Sequence, residues 1–441
     1  MKKIVLSLFV FAISANIVAA DHVMAATKRA PEKEVPATLN LSLQEAQDYA
    51  VAENRSLRNA DLAVQKAYAT RWQTIASMLP SVDMSWAYQS MMGYKMNFGG
   101  MPIEMPDNGT LGITASVGIN GQAIVGALLN NTAIEMQKLN LEISEDNLRA
   151  SVKSSYASVL VLEDVVKLLD SSLKNIENLA AMTQRSVEVG AAEQTTADQI
   201  LVRVNTLKNN INANKRSTQL AINALKVLLN VPAETELTLT TQLSDMLSAE
   251  AIVALLGKDF VLENNLSYQT LAKNVELAKK NVHMAGWAYG PTIGVGYQYS
   301  EKDYFGKKEG FNMTPPNALS VQVSMPLWSS GKRAAGVVEK KIALEEARNT
   351  FEETADNLGI QNEQLRYNLQ NAYETYTNEQ ENMGVTQRVF DNTSLKFQQG
   401  VASNLDLVNA SNDLITAQST YVQAVLTLVN AEVELEKFLN L

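Results

Sequence analysis

Residues 127–188 contain neither proline nor glycine, and residues 333–399 contain no proline. As helix, at about 1.5 Å per residue, about 60 residues span roughly 90 Å, which a compact domain does not accommodate. In the second stretch the apolar positions are Phe351, Ala355, Leu358, Leu365, Leu369, Ala372 and Tyr376, with Asn362 among them. Their steps of four and three average about 3.5 residues, the period of a coiled-coil seam. The last helical stretch, residues 404–438, carries two adjacent stripes. Leu407, Leu414, Tyr421, Val425, Leu428 and Leu435 form one; Val408, Ile415, Val422, Leu426, Val429 and Val433 form the other. A helix with two seams touches a neighbour on each side. Such helices either close into a wall around a space or pack as an antiparallel bundle with a wide buried face, and periodicity fits both.

The long stretches belong to a duplicated order of elements. Sliding the chain by 211 positions places Asn54 on Asn265, Ser56 on Ser267, Val64 on Val275, Ala67 on Ala278 and Pro80 on Pro291. Each half reads as helix, strand, loop, strand, long helix, tight turn, long helix. The expected divisions are 41–230 for the first repeat and 263–441 for the second. Between them, residues 231–262 break the pattern: Val231-Pro232 ends a helix, 236–240 alternates like a short strand, and 248–256 reads as a short helix.

After Pro80, Val82, Met84, Trp86 and Tyr88 alternate with Ser81, Asp83, Ser85 and Ala87. The same pattern recurs at Leu111, Ile113, Ala115, Val117 and Ile119, at Ile293, Val295, Tyr297 and Tyr299, and at Leu319, Val321, Val323, Met325 and Leu327. Each run is about as long as a tilted membrane strand, roughly 9–11 residues. An apolar face opposite a small or polar one is the lipid-out, lumen-in pattern of an outer-membrane barrel. Trp86, Tyr88, Tyr94, Trp287, Tyr289, Tyr304 and Trp328 sit near the strand ends, where aromatic girdles lie. Four strands cannot close a barrel, and lipid does not tolerate open edges, so spanning strands require several chains to pool them. Two hairpins on a soluble core are the alternative. In the spanning case, residues 93–110 and 300–317 become loops on the far side.

The N-terminus supplies an address. Lys2 and Lys3 precede an apolar run from residue 4 to 13, and Val18-Ala19-Ala20 satisfies the small-residue rule for cleavage. Residues 1–20 are therefore expected to be a signal peptide and 21–40 a solvated linker. No cysteine is present, which excludes disulfides, thiolate metal sites and lipid attachment near the cleavage point, and only His22 and His283 are available for imidazole chemistry. A net charge of −10 and a pI near 5.0 argue against nucleic acid as partner. Neither a nucleotide-binding loop nor a metal cluster is legible, so no cofactor and no catalytic residue is assigned.

The long helices reverse at Gly190 and Gly400, each suited to a left-handed helix end. Thr195 with Asp198, and Ser403 with Asp406, then read as N-caps with capping-box partners. Identical chains would also gather such carboxylates at a pore mouth, where a ring of like charge selects cations.

The combination of duplicated order, post-helix Pro80 and Pro291, the VEVG tip, the KFQQGVASNLDLVNA tip and the C-terminal AQSTYVQAVLTLVNAEVELEKFL resembles the TolC family of outer-membrane efflux proteins, over roughly residues 40–441. That resemblance implies an α+β membrane protein and a homotrimer in the outer membrane. Four strands per chain would contribute to a 12-stranded transmembrane β-barrel, and long antiparallel coiled-coil helices would form a periplasmic α-barrel. It implies a passive duct that receives cargo from an inner-membrane pump through a periplasmic adaptor. By position, Gly190, Ala191, Ala192, Gly400, Val401, Ala402 and Ser403 would be the docking turns. Asp406 would narrow the periplasmic entrance, with Asn409 and Asp198 nearby. Asn409 stands where the family carries a second acidic residue, and Phe397 and Ala402 replace the family's aromatic–arginine link, so the constriction is weaker here. A type I secretion duct and, from a different class, a periplasmic coiled-coil scaffold or adhesin without pore are the competing readings.

Overall fold

A computed structural model describes residues 37–104, 106–190, 192–305 and 315–441. The expected signal peptide, nearly all of the expected linker, Ala191 and part of the 300–317 loop lie outside the described residues. In chain order the elements are β1 (Thr38–Leu41), α1 (Leu43–Glu53), α2 (Arg55–Ala76), β2 (Ser81–Gln89), β3 (Lys95–Phe98), β4 (Met101–Glu104) and β5 (Asn108–Asn120). There follow α3 (Gly121–Glu188), α4 (Gln194–Leu229), β6 (Glu236–Leu239), α5 (Leu243–Met246), α6 (Ala249–Leu256) and α7 (Leu266–Gly286). The chain ends with β7 (Thr292–Tyr304), β8 (Asn317–Ser324), α8 (Lys332–Gln398) and α9 (Asn404–Leu439).

Two compact units result, each drawing on both halves of the chain. The first contains residues 62–139 and 270–352; the second contains residues 37–61, 140–269 and 353–441. In the first unit a four-stranded antiparallel sheet has the order β2–β5–β7–β8, so β5 and β7, one from each half, meet at its centre. Residues 93–110, expected as a plain loop, contain a small hairpin of β3 and β4. Gly99 and Gly100 both adopt positive φ, as a two-residue hairpin turn demands. The long helix α3 starts six residues before the glycine-free stretch, at Gly121. A Cβ there would sit 2.1 Å from the Trp287 ring, so the glycine is required by close packing rather than by a break in the helix.

Along α8 the coiled-coil reading holds residue by residue. Leu358, Asn362, Leu369 and Ala372 are buried, and Phe351, Ala355, Leu365 and Tyr376 are half-buried. Asn362, the one polar member, accepts from Arg366 Nε at 3.1 Å. Both stripes of α9 are used: Leu428 and Leu435 join Leu369 of α8 and Ile252 of α6, while Val429 and Val433 join Val152 and Tyr156 of α3. The segment expected as linker also carries structure. Thr38–Leu41 pairs in parallel with Glu236–Leu239, and Tyr156 ties that pair to α3, donating to the Leu41 carbonyl and accepting from Thr241 N, each at 3.0 Å.

The repeat has a physical signature in asparagine. Asn54 Oδ1 accepts from Ser56 N and Leu57 N at 2.8 and 3.1 Å, capping α2, while its Nδ2 donates to Leu228 O at 2.8 Å near the end of α4. In the second half Asn265 Oδ1 accepts from Ser267 N and Tyr268 N, and its Nδ2 donates to Phe438 O at 3.1 Å. Two further asparagines return the bond. Asn230 and Asn440, both left-handed at φ 56° and 55°, end α4 and α9 and donate to Glu53 O and Asn264 O. Each pair locks a helix start to a helix end and satisfies groups that helix termini leave open. Asn265→Ala should lower stability by about 1–2 kcal/mol. Urea unfolding and faster amide exchange at residues 266–268 would register the loss, and Asn54→Ala should behave alike in the first half.

Candidate functional site

Direct cross-strand partners lie on one face of an antiparallel sheet, so the register assigns both faces. Val82 pairs with Ala115 and Ala115 with Tyr297; Val117 pairs with Val295 and Val295 with Val321; Ile119 pairs with Ile293 and Ile293 with Val323. The opposite face carries Ser85 against Gly112, Thr114 against Gln298, and Gly296 against Ser320. Space is tight there: a Cβ on Gly112 would approach Ser85 Oγ to 3.0 Å, and one on Gly296 would approach Ser320 Oγ to 3.1 Å.

Among the described residues, none covers the apolar face of the outer strands. Trp86 is 66% exposed, and Leu319, Val321 and Val323 are 73%, 67% and 66% exposed. An uncovered band of this extent marks contact with lipid or protein. The aromatic residues divide between the two ends of the sheet. Trp287, Tyr289 and Trp328 lie at the end where α2, α3, α7 and α8 join, and Arg333 stacks over the Tyr289 ring at 5.0 Å. Trp86, Tyr88, Tyr94 and Tyr304 lie toward the loop end. Among the described residues, β2 and β8 have no strand partner on their outer sides. Among the described residues no helix is long and apolar enough to cross a membrane, and no cluster of metal-ligating side chains occurs.

The two helical hairpins in the second unit end in matching turns. Gly190 and Gly400 both have φ +74°. The Gly190 amide donates to Val187 O at 2.9 Å and Ala192 N to Ser186 O at 3.2 Å. The Gly400 amide donates to Phe397 O at 3.0 Å and Ala402 N to Lys396 O at 3.3 Å. One apolar cluster contains Leu179 and Ile200 of the first hairpin with Phe390 and Leu407 of the second, which holds the two ends side by side.

The capping boxes differ. Ser403 caps α9 as expected: Asp406 N donates to Ser403 Oγ at 3.2 Å, while the Ser403 hydroxyl and amide donate to Asp406 Oδ2 at 2.7 and 3.0 Å. These bonds, the hydroxyl's first, hold the Asp406 carboxyl below the ordinary carboxylate range. The expected Thr195–Asp198 cap does not form. The longer turn lets α4 begin at Gln194 with Glu193 as N-cap, so Thr195 lies inside the helix and donates to Glu193 Oε2 at 3.1 Å. Asp198 instead accepts from Gln194 Nε2 at 2.9 Å. Asp198, Asp406 and Asn409 are all exposed, Val401 is 74% exposed, and Ala192 and Ala402 are half-buried. Val189 and Leu405, at 78% and 67%, are exposed apolar tip residues that the sequence reading passed over. A large apolar side chain within two residues of a turn glycine or an N-cap was the available signal.

Comparisons with known proteins converge. A family profile described as "outer membrane efflux protein" matches residues 47–231 and 259–441. The chain is 23% identical over 427 residues to the probable efflux pump outer membrane protein TtgC of Pseudomonas putida, covering 90% of this chain and 83% of that protein. The outer membrane protein VceC of Vibrio cholerae superposes with a TM-score of 0.71 at 14% identity, covering 90% of this chain and 95% of that one. The outer membrane channel CmeC of Campylobacter jejuni gives 0.70 at 15% identity, covering 90% and 85%.

The second tip yields a pH dependence. A carboxylate whose folded pKa is depressed contributes stability that is present above its unfolded value, about 4, and lost as pH falls through the folded value. Amide protection at residues 407–410 should therefore decline only in that acid range, and Asp406→Asn should flatten the dependence. Unchanged exchange profiles in the variant would count against the cap.

Proposed function

The chain belongs to the outer membrane efflux protein family, and from that premise we propose that it is the passive outer-membrane duct of a tripartite efflux assembly. Three copies pool their strands into one twelve-stranded barrel. The observation that carries this reading is the two-faced sheet: uncovered and apolar on one side, small and polar on the other, with both edges open. A membrane leaves no water to satisfy edge amides and carbonyls, so strands of this kind persist in lipid only within a closed barrel. One sheet of four is too narrow to close, and pairing β8 of one copy with β2 of the next removes every edge.

The helices continue the conduit into the periplasm. The turns at Gly190, Ala191, Ala192, Gly400, Val401, Ala402 and Ser403 dock the helical hairpins of a periplasmic adaptor, through which an inner-membrane pump delivers cargo. Exposed Val189, Val401 and Leu405 on turns fixed by backbone bonds support this role. Asp406, with Asp198 and Asn409, borders the entrance.

Three outcomes test the reading. Val321→Arg, on the lipid face, should abolish accumulation of the trimer in the outer membrane, since a cation at the bilayer midplane costs about 2–4 kcal/mol. Gln322→Arg, on the other face, should be tolerated; equal effects in membrane fractionation would sink the assignment of faces. Val401→Glu should stop export while trimers still form. In planar bilayers, Asp406→Ala should raise single-channel conductance or relieve block by divalent cations, because it removes one carboxylate from every copy at the mouth.

A further inference from the structure

Within the second unit the long helices follow the order α4–α3–α9–α8. Lys208 and Lys215 of α4 pair with Glu177 and Asp170 of α3, and Lys153 of α3 bridges Glu432 and Glu436 of α9. The Tyr421 ring of α9 lies 5.9 Å from that of Tyr376 on α8. Between α3 and α8, however, the chain is not continuous helix: α9 stops at Leu439 and α7 starts at Leu266. Asn265 and Asn440 tie this joint through backbone carbonyls. A cavity of about 270 Å³ lies at the joint, bounded by α3, α7, α8 and α9.

Its walls divide by chemistry. Ile143, Leu266, Leu358, Leu365 and Phe438 supply apolar surface, and Leu266, Leu358 and Phe438 are buried. The Phe438 ring is held from behind by Phe260, with centroids 5.0 Å apart. The charged side chains of the lining are Asp146, Glu434 and Lys437. Two of them neutralise each other, since Lys437 Nζ lies 3.1 Å from Glu434 Oε2. Asp146 is different. Among the described residues its carboxylate takes no hydrogen bond and no ion pair. Arg149, one turn on, is committed to Asp48 and Glu145 at 2.9 and 3.0 Å. Burial, and then the like charges of Glu142 and Glu145, push the Asp146 carboxyl above its ordinary range. A half-buried carboxylate without a counter-charge gains from any cation that reaches it.

The lining narrows the kind of cation. A hard divalent ion needs six or more oxygen ligands, and one free carboxylate among leucines does not supply them. An anion would meet Asp146 with only an already paired lysine in compensation. A neutral apolar guest would bury the carboxylate further and leave it unpaired. We infer that the cavity binds a small organic cation, a primary amine whose ammonium meets Asp146 and whose apolar body lies against Leu358 and Phe438. The volume equals about nine waters, room for a body of about ten non-hydrogen atoms. Such a guest touches α3, α7, α8 and α9 at once, so occupancy stabilises the joint by mass action. The site is separate from the docking turns: Asp146 lies roughly 65 Å of helix from Gly190. It does not depend on the duct reading.

The probe is 2-phenylethylamine, with 2-phenylethanol as an uncharged match of equal size. Equilibrium dialysis against the full chain in detergent micelles, with protein-free micelles subtracted, should give the amine a Kd on the order of 1 mM. The alcohol should bind about tenfold more weakly, and Asp146→Asn should weaken the amine by about the same factor. Gln361→Trp, at the exposed lip of the cavity, should block the amine while the unfolding temperature of the ligand-free protein stays unchanged. Equal affinity for amine and alcohol, or full-strength binding to Asp146→Asn, would overturn the assignment of an amine. Undiminished binding to Gln361→Trp, or no uptake above that of micelles, would overturn the site itself. Each of these results leaves the channel reading standing.

Discussion

Unpaired backbone at the edge of a sheet governs this protein. Among the described residues, β2 and β8 have no strand partner for their outer amides and carbonyls, and the apolar face between them is bare. In water, that face would recruit other chains without order. In lipid the edges cost several kcal/mol for each unsatisfied group, so the sheet is stable only as part of a closed ring. Membrane insertion and assembly are thus one physical requirement. The chain cannot satisfy either alone.

The helices face the same problem in a milder form. α3 and α9 bury seams on two sides, whereas α4 and α8 bury one and expose another. The open seams are mixed: Val202, Leu220 and Tyr367 alternate with Arg216, Asn371 and Glu374. The buried seam of Leu365 and Leu369, by contrast, packs on Leu428 and Leu435 within the chain. Duplication supplies the helices economically. The asparagine at 54 and its copy at 265 perform the same two tasks, capping one helix and holding the end of another.

Much of this was legible because the relevant signals are local. The alternation at 82–88 and 293–299 fixes side-chain direction with a period of two, whatever the neighbours. The seam at 351–376 and the glycines at 190 and 400 are likewise properties of the chain itself. The failures share a different cause. Thr195 and Ser403 stand in similar patterns, yet Ser403 caps and Thr195 does not, because the extra residues in the first turn allow Glu193 to take the cap. Thr38–Leu41 has too little length to announce itself as a strand and becomes one only by pairing with Glu236–Leu239, almost two hundred residues later. The helix α3 begins at Gly121, ahead of the stretch free of proline and glycine, at a position where the Trp287 ring leaves no room for a Cβ.

By itself, then, the sequence determined the elements and their faces: strands with one greasy side, helices too long for a globule, tips that must turn at glycine. Those follow from backbone periodicity and from which residues tolerate positive φ. The tertiary structure decided adjacency: β5 beside β7, the helical order α4–α3–α9–α8, and hence which seams stay open. Adjacency depends on residues far apart in the chain finding complementary surfaces, and no local pattern encodes which surface a neighbour will cover.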